Sequence, residues 1–329
     1  MTESTLAAGK KGLVSAGANL VWGRQSILWW VFLVNAGLAA LGTAPAFAVL
    51  DRALSHSLAG QQLVNGFDYG MFNELQRVPD FKLLATMRSS YLFAGLFAVF
   101  MLFVSGGILE AYRQDRWVTT GEFFAASGAY FWPFLRLALF SLVPFVFLGS
   151  LYQQLETFSD YVGDKVIADQ AGSFIQLAGG IVLAALAFFV RMWFDVAKVR
   201  AVAQNERGMW HNLWKALGIS WQERWTLLWM YLRISLVAWI TLAVGFFIWT
   251  KLPPTAIPVT FVLLELVMLV QVATRLWQLA SATAWYERRG EIAPAGLAEF
   301  TTPPLAEVEE APDPQLGLYP ETELPPADA

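Results

Sequence analysis

Apolar runs recur six times along this chain, each near the ~20 residues that an α-helix needs to cross a bilayer. Short polar segments separate these runs. The pattern predicts an all-α fold, namely a polytopic transmembrane helical bundle with about six spans. The spans are expected at 26–50, 89–110, 133–152, 174–200, 226–250 and 256–285.

The spans divide the chain into three regions. Residues 1–25 are expected to form a cytoplasmic N-terminal segment with an interfacial helix, and residues 26–289 the six-span membrane domain. That domain would have a long outer loop at 51–88 and an acidic outer loop at 153–173. Residues 290–329 are rich in Pro and acidic residues, so we expect a disordered cytoplasmic tail there.

The composition also indicates a membrane protein. The chain is 57% hydrophobic and 15% charged, whereas a soluble domain has about 25% charged residues. Residues 291–329 hold nine of the 26 acidic residues and no basic one, which leaves 22 basic against 17 acidic residues elsewhere. These charges are scattered at span ends, so no nucleic-acid partner is predicted. Because Cys is absent and the two His lie in different loops, no cofactor or metal is predicted either.

Lys and Arg are distributed unevenly between the two sides of the predicted bundle. With the N-terminus inside, the cytoplasmic segments hold twelve Lys or Arg, counting Lys198 and Arg200 at the end of the fourth span, and the three outer loops hold six. Cytoplasmic loops of membrane proteins carry an excess of these residues. We therefore expect a multi-pass protein of the bacterial inner membrane with both termini in the cytoplasm.

The first span has an alternative interpretation. Residues 10–48 have a basic start, an apolar stretch and small residues at Ala46 and Ala48, as a cleaved signal peptide does. Cleavage there would leave five spans in the same orientation. We favour retention of this span because it fits an internal repeat.

Three segments that precede spans resemble one another, at 10–25, 117–132 and 206–224. Each places apolar residues on one helical face. Aligning Gly128 with Gly218 also pairs Gln114 with Gln204. We call these segments elbows and expect them to form interfacial helices. The chain would then consist of three units, each an elbow followed by a helical hairpin. The alternative is that the inner loops of membrane proteins simply share this composition. The apolar stripe of the third elbow would be Trp210, Leu213, Trp214, Leu217 and Trp221.

Charges follow the fourth span at helical spacing, at Arg191, Asp195 and Lys198. We expect them to form the water-facing side of a helix that continues past the bilayer surface. Trp193 and Phe194 would then lie in the aromatic belt at that interface.

Charged residues inside the spans are the candidate functional residues, because burying a charge in a bilayer is costly. In one interpretation they pair with each other and with Glu110, and only fix helix packing. In the other, the arginines form a basic pocket for an anionic lipid headgroup, and Glu265 near the midplane is a proton or cation site. The candidate residues are Glu265, Arg136, Arg191, Asp195, Arg233 and Arg275.

Two segments carry a resemblance to known proteins. Residues 50–68, LDRALSHSLAGQQLVNGFD, and 194–208, FDVAKVRAVAQNERG, resemble multi-pass bacterial inner-membrane proteins. The second segment is similar to a short Asp-x-Ala segment in the membrane domain named after glycerophosphoryl diester phosphodiesterases. Catalysis in that family belongs to a separate soluble module, so the resemblance implies no catalysis here.

Two classes of function stay open, and an intramembrane enzyme is the least favoured third. The absence of a recognisable catalytic motif favours a scaffold or accessory component of an envelope or transport system, with the lipid bilayer and another membrane protein as partners. The alternative is a small transporter or lipid-handling permease that uses Glu265 and the arginine cluster, with anionic lipid headgroups as partners.

The predicted topology can be tested with reporter fusions. Fusions after Arg116, Arg207 and Arg289 should report the cytoplasm, because these positions lie on the basic side of the bundle. Fusions near Asp68 and Asp164 should report the outside. A cytoplasmic signal at Asp164 would contradict the six-span topology.

Overall fold

The computed structural model describes residues 12–54, 70, 73, 88–114, 116–165, 170–253 and 255–290, without the side chains of 53, 164 and 165. Most of the expected outer loop 51–88 and almost all of the expected tail 290–329 lie outside these ranges. Within them the chain forms eight helices and no strand. The helices are α1 (Leu13–Gly23), α2 (Gln25–Leu54), α3 (Arg88–Arg113), α4 (Thr120–Lys165), α5 (Gln170–Ala203), α6 (Met209–Gln222), α7 (Arg224–Lys251) and α8 (Ile257–Arg288).

Six of these helices are long and apolar enough to cross a membrane. They cover the six predicted spans except for residue 256 at the start of the last one, so the predicted all-α bundle is confirmed. The candidate spans are Gln25–Arg52, Arg88–Arg113, Thr120–Gly163, Gln170–Ala203, Arg224–Lys251 and Ile257–Arg288.

The six long helices form three hairpins, α2–α3, α4–α5 and α7–α8, each made of helices adjacent in sequence. Small residues bring the two helices of a hairpin close together. The Ser90 hydroxyl donates to the carbonyl of Gly42 at 3.0 Å, and the Ser159 hydroxyl donates to that of Gly172 at 2.6 Å. A Cβ on Gly245 would lie 2.5 Å from a valine of α8. We call α3, α5 and α8 the returning helices.

The elbows link the hairpins in a closed cycle. The first turns of α4 pack on α3, where a Cβ on Gly107 would lie 2.5 Å from a serine hydroxyl of α4. Helix α6 packs on α5, where the Asn212 amide donates to the carbonyl of Ala197 at 2.7 Å. Helix α1 packs on α8, where a Cβ on Gly17 would lie 2.7 Å from the backbone nitrogen of Ser281. Each elbow thus joins its own hairpin to the returning helix of another.

Tryptophan side chains fasten two of these crossings in the same way. Trp193 of α5 donates its indole N–H to the carbonyl of Leu213 in α6 at 2.8 Å. Trp277 of α8 donates to the carbonyl of Val14 in α1 at 2.7 Å. The shared geometry supports the internal repeat that the sequence predicts.

The buried core lies at the elbow end of the bundle. In the returning helices the buried stretches are 104–112, most of 192–203 and most of 274–286. We call this end the elbow side, and the opposite end, where each hairpin turns, the loop side. Loop-side halves expose large apolar residues such as Phe147 and Phe246. The hairpins therefore pack against one another mainly at the elbow side.

The second predicted elbow, 117–132, is not a separate helix, so that part of the prediction is wrong. Helix α4 starts with the predicted capping box, in which the Glu122 carboxylate accepts from Thr119 N at 2.9 Å and the Thr119 hydroxyl accepts from Glu122 N at 3.3 Å. It then runs unbroken into the span. The other two elbows end at single non-helical residues, Arg24 and Glu223, and this segment has no such break.

Helix also replaces much of the acidic outer loop that was expected at 153–173. Helix α4 continues to Lys165, and α5 begins at Gln170. Ser159 is buried against α5, whereas Glu156 and Asp160 on other faces are exposed. The polar residues that suggested a loop thus lie on the exposed side of a hairpin that extends past the apolar run.

The third elbow is a helix, as predicted, but its tightly packed face differs from the predicted stripe. Tryptophans 210, 214 and 221 are exposed, as expected of side chains at a membrane interface. Asn212, which was expected off the stripe, is fully buried because it bonds across to α5. The buried face consists of Met209, Asn212, Leu213, Ala216 and Ser220.

The elbow crossings generate a stability prediction. Gly17→Ala and Gly107→Ala should each destabilise the protein by about 1–3 kcal/mol, because the added methyl group meets atoms of the crossing helix. Gly128→Ala is the matched control, since a Cβ there has nothing within 4 Å. Thermal unfolding of each variant in lipid nanodiscs measures the difference. Equal melting temperatures for all three variants would contradict the close crossings.

Candidate functional site

An ion pair between Asp195 of α5 and Arg275 of α8 joins the second and third hairpins. The Arg275 Nη1 and Nη2 atoms donate to the two Asp195 carboxylate oxygens at 2.5 and 2.7 Å. The Asp195 side chain is only 2% exposed. Two parallel guanidinium–carboxylate bonds fix orientation as well as distance. The pair therefore sets how α5 and α8 meet.

The contacts of Gln278 extend this pair to a third helix. Arg191 donates to Gln278 Oε1 at 3.0 Å, and Arg275 approaches the same oxygen at 3.4 Å. The Gln278 amide nitrogen donates to the Ser235 hydroxyl of α7 at 2.9 Å. One side chain therefore connects α5, α7 and α8.

The charges around Asp195 do not balance. Lys198 Nζ lies 3.9 Å from the Asp195 carboxylate that Arg275 already binds. Together with Arg191, this gives three cations and one anion among the described residues. We call Arg191, Asp195, Lys198 and Arg275 the basic cluster. Its formal excess of two positive charges makes it a site of positive potential.

A cavity of about 220 Å³ lies beside the basic cluster, between α7 and α8. Its polar lining includes Arg191, Arg275 and Gln271. Its apolar lining includes Trp239 and Leu242 of α7, which are 68% and 45% exposed. The cavity is therefore polar on one side and borders the lipid-facing surface of α7 on the other. Within the described ranges no three His, Asp or Glu side chains come together as metal ligands.

The structure brings together three of the six predicted site residues, Arg191, Asp195 and Arg275. Glu110 was expected to join the same network and does not. Its carboxylate accepts from Gln114 at 2.8 Å and lies 3.4 Å from Arg113, within its own helix. The single network that we considered is thus divided into separate clusters.

The other three predicted residues lie apart from the basic cluster. Arg136 is exposed on α4. The Arg233 guanidinium lies 5.0 Å from the ring centre of Trp229, as a cation–π pair does. Glu265 is half-buried and makes no hydrogen bond or ion pair to any described residue. It precedes Arg275 by ten residues on the same helix, which is about 15 Å at the α-helical rise.

The expected water-facing stripe after the fourth span is wrong for Asp195, which is buried. Phe194, expected in an aromatic belt, is buried too, and the Trp193 indole bonds to the backbone of α6. The reason is that α5 continues past its apolar run into the elbow-side core, where α6 and α8 cover it.

A second buried cluster, around Arg200, was not predicted. Arg200 is 3% exposed and donates to Glu206 at 2.6 Å, to Asn212 at 2.5 Å and to Gln204 at 2.5 Å. Gln204 in turn donates to the Tyr286 hydroxyl at 2.8 Å. The repeat contained the signal, because Arg200 and Gln204 align with the bonded pair Glu110 and Gln114 at an offset of 90.

Arginines also cap the ends of two returning helices. Arg113 of α3 donates to the carbonyls of Val202 and Ala203 at the end of α5, at 3.4 and 3.2 Å. Arg24, between α1 and α2, donates to the carbonyl of Gln114 just after α3. Cations at helix C-termini are stabilising. The Arg113 cap joins the first hairpin to the second at the elbow side, and the Arg24 cap joins the first elbow to its own hairpin.

The fold and these clusters define a multi-pass α-helical membrane protein. No family model, curated protein or solved structure matches the chain. No family match supports the resemblance of 194–208 to the phosphodiesterase-associated membrane domain. In this segment the aspartate, Asp195, is an ion-pair partner inside the core.

The ion pair generates a coupling prediction. Asp195→Asn should lower stability by about 3–5 kcal/mol, because it leaves three neighbouring cations without their buried counter-charge. Arg275→Gln should lower it less, because Lys198 still lies 3.9 Å from the Asp195 carboxylate. The double variant should lose at least about 1 kcal/mol less than the sum of the two. Glu265→Gln is the control and should be nearly neutral. Thermal unfolding in one nanodisc composition measures all four, and strictly additive losses would contradict the pair.

Proposed function

We propose that this protein is a non-catalytic scaffold or accessory component of an envelope or transport system in the bacterial inner membrane. The observation that carries the proposal is the closed cycle of elbows and hairpins. Its buried charges at Asp195, Arg200 and Glu110 are bonded to neighbouring side chains. Such groups stabilise a rigid arrangement of helices.

The proposed orientation places the elbow side in the cytoplasm, with both termini. The excess of Lys and Arg in the segments on that side supports it. The exposed tryptophans of α6 also suit the headgroup level of a membrane.

A membrane partner would find its surface on the loop-side halves of the hairpins. There α4 exposes Val146 and Phe147, and α5 exposes Ile181 and Val182. These side chains are not used to pack one hairpin on another. Exposed apolar surface of this kind is available to lipid or to the helix of another protein.

The alternative, a small transporter or lipid-handling permease that uses Glu265 with the arginines, has weaker support. Glu265 lies about 15 Å along α8 from Arg275. Within the described residues it makes no hydrogen bond or ion pair to the basic cluster.

Photo-crosslinking in native membranes tests the scaffold role. A photoreactive residue at Val146 or Ile181 should crosslink one defined membrane protein, because these positions are exposed at the loop side. The same residue at Lys215, exposed on the elbow side, is the control. Native mass spectrometry should find that partner at fixed stoichiometry.

Two results together would contradict the proposal. They are crosslinks to lipid alone at both loop-side positions, and transport of a solute or lipid by the purified chain in vesicles that Glu265→Gln abolishes.

A further inference from the structure

The geometry points to a phosphate-binding site for a membrane lipid in the cavity beside the basic cluster. We propose that Arg191, Arg275 and Ser235 bind the phosphate of an anionic lipid, whose acyl chains lie along α7. This goes beyond the proposed scaffold role, which needs no ligand and can hold whether or not the site exists.

The charge arrangement is the first argument. Arg191 and Arg275 both point at one neutral oxygen, that of Gln278, at 3.0 and 3.4 Å. The two guanidinium groups carry like charges and repel each other, and the neutral Gln278 amide offsets that repulsion only in part. Asp195 already accepts two bonds from Arg275. An anion between the guanidinium groups would neutralise the excess, and phosphate oxygens match the guanidinium donors.

Accessibility is the second argument. Arg191 is exposed and Arg275 is 27% exposed, so both can be reached without opening the core. Both side chains line the 220 Å³ cavity. The Ser235 hydroxyl, another lining group, accepts from Gln278 and keeps its own hydrogen for a further acceptor. A phosphate group would thus meet donors from α5, α7 and α8.

The depth of the cavity favours a lipid over a soluble anion. Arg275 follows the start of α8 at Ile257 by 18 residues, which is about 27 Å of helix. The hydrocarbon core of a bilayer is about 30 Å thick. If α8 begins at one surface, Arg275 lies at the headgroup level of the other, where lipid phosphates are.

The surface of α7 supplies a place for the acyl chains. Trp239 and Leu242 line the cavity, and Phe246 and Trp249 continue the same helical face toward the loop side. All four side chains are exposed. An apolar track that begins at a basic cavity suits a lipid, whereas a free phosphate ion would not use it.

Lipid retention tests the proposal. The full chain is delipidated, reconstituted in nanodiscs of phosphatidylcholine with phosphatidylglycerol, extracted into detergent and weighed by native mass spectrometry. Wild type should retain one phosphatidylglycerol in preference to phosphatidylcholine. Arg191→Gln, which leaves the Asp195–Arg275 pair in place, should bind it about tenfold more weakly through loss of a charge-assisted bond. Arg233→Gln is the matched control, an exposed arginine outside the cavity, and should retain it as wild type does.

Further variants and a second ligand distinguish the remaining outcomes of the lipid-retention experiment. If Arg191→Gln does not fold, Arg191→Lys decides, because it keeps the charge and loses the guanidinium fork. Lower retention than wild type supports the site, and equal retention overturns it. An equal loss in Arg233→Gln would show general surface attraction and also overturn it. Stabilisation of wild type by inorganic phosphate but not by phosphatidylglycerol would overturn the lipid assignment.

Discussion

Lipid tails are as apolar as the side chains that face them, so helices in a bilayer gain little by hiding apolar surface from one another. Close backbone approach and polar bonds must hold such helices together. This chain places both at the elbow side, in the crossings at Gly17 and Gly107 and in the bonds of Asp195 and Arg200. In the described loop-side halves, small residues such as Gly172 provide close contacts within a hairpin.

The closed cycle follows from where the elbows pack. The second and third elbows fold back on the returning helix that precedes them in the chain. The first elbow packs on α8, which joins the first hairpin to the last. The ion pair between Asp195 and Arg275 then fixes α5 against α8. Burying the two charges of this pair costs desolvation free energy. The main contribution of the pair is therefore to favour one packing arrangement of α5 and α8 over others.

Hydropathy predicted the six spans because a bilayer of fixed thickness imposes their length. It did not predict how far the helices continue. Residues 120–132 and much of 153–173 are parts of the long helices α4 and α5. Span length alone cannot distinguish such an extension from a loop or a separate elbow.

The candidate site was predictable only in part. Arg191, Asp195 and Arg275 were recognisable as charges inside the predicted spans, but the pairing of Asp195 with Arg275 joins residues 80 positions apart, which no local pattern shows. Glu265 is also a charge inside a predicted span, but it lies outside the basic cluster. The cluster around Arg200 was not predicted. Gln114 and Gln204 occupy equivalent positions of the repeat, and each bonds to the residue four positions before it, Glu110 and Arg200.

The central claim is that the hairpins are fixed to one another at the elbow side and not at the loop side. Since the chain has no Cys, pairs of introduced cysteines can carry spin labels for pulsed electron paramagnetic resonance in nanodiscs. Labels at Gly121 and Lys215, both exposed at the elbow side, should give a narrow distance distribution. Labels at Gln154 and Thr250, exposed on different hairpins at the loop side, should give a broad one. Narrow distributions for both pairs, or a broad one at the elbow side, would contradict the account.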